Sequence, residues 1–417
     1  MKNKALALLI AATMLAGLFA ACASGAEPEP PLDQPEEGAS LPCFPIVAEE
    51  FWSDENRDAI LSFSQSLFRE VVALAEDNPV ISPLSAYFAL AMVALGARGE
   101  TQAEFETVLG SEPAELALAL RTLSQSLTDT DGNTTLNIAG GVWTADDFII
   151  EPSFAELLLA YFDAPAVSRD FQAPATADEI NAWIHERTEG LIEDMIQSIS
   201  RDTVMLLVNT LYFSARWAET FGPLTGISDV FHTASGQEVE TPFLFTRPES
   251  FAVRVTDRYE AVSLPYDDDR LGFLLVRPTD GADLRAFAAD FDLAAVLGGL
   301  EMRDNVQVHM PKLDLEFEVS LNEILQALGL TLAFGDFADF SGLSAEDEDL
   351  YISSVLQKVR LLVDEEGTEA AAATVVGIER MGIAFDLLDL RFDSPYLYVI
   401  YDRLTGVPLF MGLVEEF

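Results

Sequence analysis

The 417-residue chain is half hydrophobic, which is enough to bury a large core and too much for a disordered acidic tail. Seventy Asp and Glu stand against 23 Lys and Arg, for a formal charge of −47. A field of that sign excludes nucleic acid and anionic membrane surfaces as favoured partners and names no chemistry.

The first element lies at the N-terminus. Lys2 and Lys4 precede an apolar run from Ala5 to Phe19, followed by Ala20-Ala21-Cys22. A basic start, a short apolar stretch and small residues read as a secretory signal, too short to be kept as a membrane span. Cys22 after Phe19-Ala20-Ala21 resembles a bacterial lipoprotein box, although Phe19 stands where Leu is usual. That resemblance implies a signal peptide over 1–21 and lipidation of Cys22 as the mature N-terminus. Simple secretion with cleavage near the same place is the alternative. Residues 22–50 are rich in Pro and Glu and read as an extended tether. Cys43 is the only other cysteine, so lipidation of Cys22 would leave no intramolecular disulfide.

The body begins at 51 and mixes two periodicities. Phe51 to Leu74 has helical spacing, with Ile60, Phe63, Leu67 and Val71 on one stripe. Ser82-Pro83 starts a second helix, and its run Leu84–Leu95 is so apolar that it must be buried. Helices are further expected at Thr101–Leu109, Pro113–Leu127, Pro152–Tyr161, Ala177–Ile196, Leu284–Leu297 and Leu321–Leu328. Strands are expected at Thr135–Thr144 and Thr203–Phe213. Val204–Val208 within the second is apolar on both faces, as in the centre of a covered sheet. Residues 251 to 276 read as two or three strands, Asn305–Glu318 as extended, and Ile352–Val363 as a long strand. Leu390–Ile400 and Pro408–Val414 read as a terminal hairpin around Asp402–Gly406. With no internal repeat and no second linker, the body reads as one α+β domain with at least two sheets.

Ordinary enzyme chemistry finds no foothold in the pattern. His185, His232 and His309 are far apart, and none has zinc-type spacing. No G-x-S-x-G elbow and no phosphate-cradling glycine loop occur. Asp129–Asn133 lacks the rest of a calcium-ligand set and reads as a polar turn. Asp267–Asp269 and Glu346–Asp349 read as solvated loops.

The segment after the long strand is different. Taken with period two, Thr368, Ala370, Ala372, Thr374, Val376 and Ile378 share one uncharged face, and Glu369, Ala371, Ala373, Val375, Gly377 and Glu379 share the other. The first face suits a strand slotted into a packed sheet. Gly367, Gly377 and Gly382 speak for a mobile segment. A helical turn over Glu369–Ala373 is the competing reading.

These pieces line up with one family. Asn78–Ser85 with Leu95–Thr101, Ile180–Trp183 with Thr188–Ile192, Val208–Phe213 with Trp217 and Phe221, Val262–Tyr266, Phe392–Tyr396 and Leu409–Gly412 occur in its order. Over residues 51–417 the chain resembles the serpins, inhibitors of serine proteases. The resemblance implies about nine helices around three β-sheets, with a mobile reactive loop at about 366–386. It makes Glu365, Gly367, Thr368, Glu369, Ala370, Ala371, Ala372, Ala373 and Thr374 the hinge of that loop. It makes Ser82, Ser85, Asn209, Trp217 and Gln357 the region where the main sheet opens. Gln357 stands where many serpins keep a His, and Tyr396 where the signature usually has Phe.

The usual hinge length puts the reactive bond at Met381–Gly382, and a hinge one residue shorter puts it at Arg380–Met381. The first implies an elastase-, chymotrypsin- or subtilisin-like target, the second a trypsin-like one. By resemblance the protein is no enzyme. It is a suicide substrate that holds its target serine protease as a covalent acyl complex. A monomer without cofactor is expected, since residues 112 to 127 carry only Arg121 as a base for a heparin-type ligand. A non-inhibitory serpin acting as a surface binding protein is the rival. Lipidation would place the protein outside the cell, anchored at its surface.

Overall fold

The computed structural model describes residues 52–128, 133–200, 203–219, 221, 227–279, 281–344, 350–368 and 386–417. All of them belong to the compact unit Val47–Phe417. The signal, Cys22, the tether and Cys43 lie outside the described residues, as do Glu369–Thr374, Arg380, Met381 and Gly382.

Nine α-helices occur among the described residues. Helix α1 (Asp54–Leu74) starts at Ser53, whose hydroxyl accepts from the Asn56 N–H at 3.2 Å. Helix α2 (Pro83–Ala94) starts at Ser82 with Pro83 in its first turn and is buried at eleven of its twelve positions. Then follow α3 (Gly99–Leu109), α4 (Pro113–Thr128), α5 (Pro152–Phe162) and α6 (Pro174–Arg187). The run expected to stay helical to Ile196 stops at Arg187. Glu189 and Gly190 turn left-handed there, with φ of 49° and 87°. The single helix expected over Leu284–Leu297 is two, α7 (Leu284–Ala289) and α8 (Leu293–Leu297). Each is restarted by an aspartate cap, Asp283 and Asp292. Helix α9 spans Asn322–Ala327.

One sheet has six strands in the order β11 (Leu313–Ser320), β12 (Leu356–Val363), β13 (Gly367–Thr368), β4 (Met205–Arg216), β2 (Thr135–Ala145), β3 (Ala166–Arg169). Helix α2 packs against β4 and β2, which accounts for the apolar character of both. The second sheet runs β1 (Val80–Ile81), β16 (Pro408–Val414), β15 (Tyr396–Asp402), β9 (Leu271–Pro278), β8 (Tyr259–Pro265), β7 (Glu249–Val255), β10 (Glu301–Pro311), β6 (Glu238–Phe245), β5 (Ile227–His232), with β14 (Leu388–Arg391) beside β10.

The three sheets implied by the resemblance are thus joined into two hydrogen-bonded networks among the described residues. The joint is β10. It pairs with β7 from Glu301 to Val306 and with β6 from His309, with a break in register between Arg303 and Val306 and Asn305 at φ 56°. A bulge of this kind bends one strand into two sheets. The extended run expected over Asn305–Glu318 is likewise divided at Lys312, between β10 of one sheet and β11 of the other. The strand expected from Ile352 begins only at Leu356. Leu390–Ile400 is broken at Phe392–Pro395 into β14 and β15. The terminal hairpin stands where it was expected, its Asp402 carboxylate accepting from Leu404 N and Thr405 Oγ1.

Candidate functional site

The chain reverses at the end of β12 through Asp364-Glu365-Glu366. Asp364 Oδ1 accepts from Glu366 N at 2.8 Å and Gly367 N at 3.2 Å, and Asp364 N donates to Gly367 O at 2.9 Å. This side-chain turn hands the chain to β13. Strand β13 lies antiparallel to both neighbours, with Thr368 opposite Val363 on one side and Gly367 and Thr368 opposite Arg216 and Ala215 on the other. A Cβ on Gly367 would overlap the Ala215 carbonyl oxygen, so only glycine lets the backbones approach this closely.

Thr368 is 1 % exposed. Its hydroxyl shares a 2.6 Å hydrogen bond with the Tyr266 hydroxyl. The Tyr266 ring stacks on Trp217 with centroids 4.7 Å apart and planes 8° apart. Trp217 grips the turn by two donations, Nε1 to Asp364 O at 2.8 Å and N to Glu366 O at 3.0 Å. Phe213 closes the far edge of Tyr266 at 5.1 Å. Burial pushes the Tyr266 phenol well above its ordinary pKa, so it stays a neutral donor and acceptor.

Charge stands outside this aromatic wall. Lys312 makes an ion pair with Glu365. Burial alone would raise the Glu365 pKa, but Lys312 wins and holds it below the usual range. For Asp364 the balance is reversed. Burial raises its pKa, against the pull of the two backbone N–H groups.

Ser82, Ser85 and Gln357 form a second cluster. Gln357 accepts from Ser82 N at 3.0 Å and donates to Ser82 O at 2.8 Å. Ser82 Oγ in turn accepts from Ser85 N at 3.3 Å. An amide carries its donor and acceptor side by side, as the N–H and C=O of one residue require. A neutral imidazole carries them on opposite edges of its ring. Gln357 therefore clasps β12 to the start of α2, and the clasp does not titrate. Asn209 lies on β4 opposite Gly140. Trp217, expected with this group, lies at the Asp364–Glu366 turn. Val363, beside the hinge, lies six positions along β12 from Gln357, about 20 Å of strand.

Tyr266, Asp364 and Lys312 hold the hinge, yet the sequence assigned them no role there. Lys312 reaches Glu365 across 53 residues, and only the fold brings the two together.

The serpin family model, described as serine protease inhibitor, matches residues 58–416. Neuroserpin of Gallus gallus is 29% identical over 391 residues, covering 90% of this chain and 95% of that protein. The native state of the thermophilic serpin tengpin superposes with a TM-score of 0.80 at 29% identity, over 87% of this chain and 94% of tengpin. Thyroxine-binding globulin complexed with thyroxine superposes with a TM-score of 0.76 at 26% identity, over 87% and 98%.

Proposed function

The chain belongs to the serpin family, and from that premise we propose that it inhibits serine proteases by inserting its cleaved reactive loop into the six-stranded sheet. The observation that carries this reading is β13. It is a strand of only two residues, started between β12 and β4, and among the described residues those two strands are joined only through it.

Continuing the register of β13 puts Ala370 opposite Leu361 and Phe213, Ala372 opposite Val359 and Leu211, and Thr374 opposite Gln357 and Asn209. On β12, Gln357, Val359, Leu361 and Val363 are all buried. The uncharged period-two face is then the face that meets the core, and Glu369 falls on the other side. A strand from Gly367 to Met381 at roughly 3.3 Å per residue is about 50 Å long. An acyl-linked protease would be carried that far before water could release it. This chain then supplies the scissile bond and the strand, and no catalytic group of its own.

Met381–Gly382 is the bond we assign, which selects proteases with an apolar specificity pocket. Arg380–Met381 would select trypsin-like ones. The N-terminal pattern supports a signal over 1–21, a lipid on Cys22 and a tether that holds residues 51–417 outside the cell at its membrane. The likeness to thyroxine-binding globulin supports one second reading, a non-inhibitory carrier.

Incubation with a panel of elastase-, subtilisin- and trypsin-like proteases tests the proposal. The expected result is an SDS-stable complex with an enzyme of the first two kinds and a cut mapped by mass spectrometry to Met381–Gly382. Clean cleavage by every protease, with no complex, would support the carrier.

A further inference from the structure

Strand β14 fastens the chain just beyond the loop by a short backbone ladder and a cluster of charged side chains. It is four residues long and parallel to β10, with Leu388, Asp389, Leu390 and Arg391 opposite Val306, Gln307, Val308 and His309. Of the four, only Leu390 is buried. Beside the backbone ladder to β10, its side-chain hold comes mainly from charged groups around His309, a residue that the loop mechanism does not use.

His309 Nε2 lies 2.7 Å from Asp389 Oδ1. Its Nδ1 faces Arg391 Nη1 at 3.3 Å. A guanidinium can only donate, so Nδ1 accepts, and the ring is neutral with its proton on Nε2. Arg391 is held in turn by Asp229 at 2.6 Å and Asp393 at 3.0 Å. Phe245 of β6 closes one side of the imidazole edge-on at 4.9 Å and brings no charge. The charged groups facing His309 are therefore Asp389 and Arg391 of β14 and, behind Arg391, Asp229 of β5.

A proton on Nδ1 would set one N–H against another and one positive charge beside a second. Asp389 offsets part of that, but its side chain is 45% exposed and water screens it. Asp229 is already engaged by Arg391. Burial of the ring comes first among the causes, and together with Arg391 it outweighs both carboxylates. The pKa of His309 accordingly lies below its ordinary value of 6.5.

We propose that His309, Asp389 and Arg391 form an acid-released latch on β14, in which uptake of a proton by His309 breaks the Arg391 contact and frees the strand. The released ring regains an ordinary affinity for the proton, so acid favours release. The latch is complete above about pH 6.5 and weakens as pH falls from there toward the lower folded value, by up to about tenfold per pH unit, and no further below it. Only its consequence rests on the inhibitor reading: with β14 free, inhibition is lost in acid without cleavage.

Hydrogen exchange of the full chain reads the latch directly, after correction for the intrinsic pH dependence of exchange. Between about pH 7.5 and 5.5, protection of Leu388–Arg391 is expected to fall by up to about tenfold while β16 stays protected. His309→Gln should make that protection independent of pH. Asp389→Asn, which removes the carboxylate that favours a charged ring, should enlarge the loss in acid. Constant protection in the unaltered chain, or an undiminished loss in His309→Gln, overturns the latch. Because exchange needs no protease, a chain that inhibits nothing but loses β14 in acid contradicts the inhibitor reading and leaves the latch standing.

Discussion

The segment 369–385 is held at its two ends by different physics. At its start, Gly367 and Thr368 are stitched between two strands and packed on Tyr266 and Trp217, with charge only at the rim. At its end, β14 pairs with a single strand, buries one residue of four and carries the charged cluster of His309, Asp389 and Arg391. A strand-in-waiting whose neighbours are apolar can lengthen, since each added pair of residues buries more surface. An ionic edge strand can be let go by one proton. The first arrangement suits growth of a sheet and the second suits release.

Four substitutions break or sharpen this contrast. Thr368→Arg strikes hardest, because a guanidinium would enter the apolar wall unpaired at a cost of several kcal/mol. Complex formation with the target should fall by about two orders of magnitude, leaving a cleavable substrate on an SDS gel. Next in size is Gly367→Ala, whose Cβ overlaps the Ala215 carbonyl. Thermal unfolding should show a loss of about 1–3 kcal/mol, and Trp217 emission should shift as Thr368 leaves Tyr266.

Gln357→His replaces a silent clasp with a titrating one and should cost about 1 kcal/mol. Burial opposes charging of that imidazole, so the melting temperature should drop as pH falls below about 6.5. A melting temperature that stays level would mean the Ser82 clasp carries little. Lys312→Met is the mildest change. Its ion pair with Glu365 is partly exposed and should contribute under about 1 kcal/mol. Because the pKa of Glu365 is lowered in the fold, that contribution is present above its ordinary 4.5 and is lost as pH falls below it. Salt titration and acid should therefore both erase the difference from the unaltered chain.

The burial of Thr368 in a strand was legible because its message is local. Period two over Thr368–Ile378, one uncharged face and placement after a strand can all be read within twenty residues. The apolar stripe of α1 and the buried run of α2 were legible for the same reason. What escaped notice was long-range or weakly patterned. β5 and β6 were not foreseen, since β5 is mostly exposed and buries only Phe231. The division at Lys312 leaves no mark in an extended run that changes sheets. Trp217 was grouped with Ser82 and Gln357 by family landmark, and only the fold shows its two donations to the Asp364–Glu366 turn. His309 looked like an isolated histidine because Asp389 and Arg391 reach it from 80 and 82 residues away.

Thermal unfolding before and after a single cut at Met381–Gly382 tests the central claim most directly. If β13 grows into a full strand between β12 and β4, the cleaved protein should unfold far above the intact one, and Thr368→Arg should abolish the gain. Equal melting temperatures before and after cleavage would contradict the account.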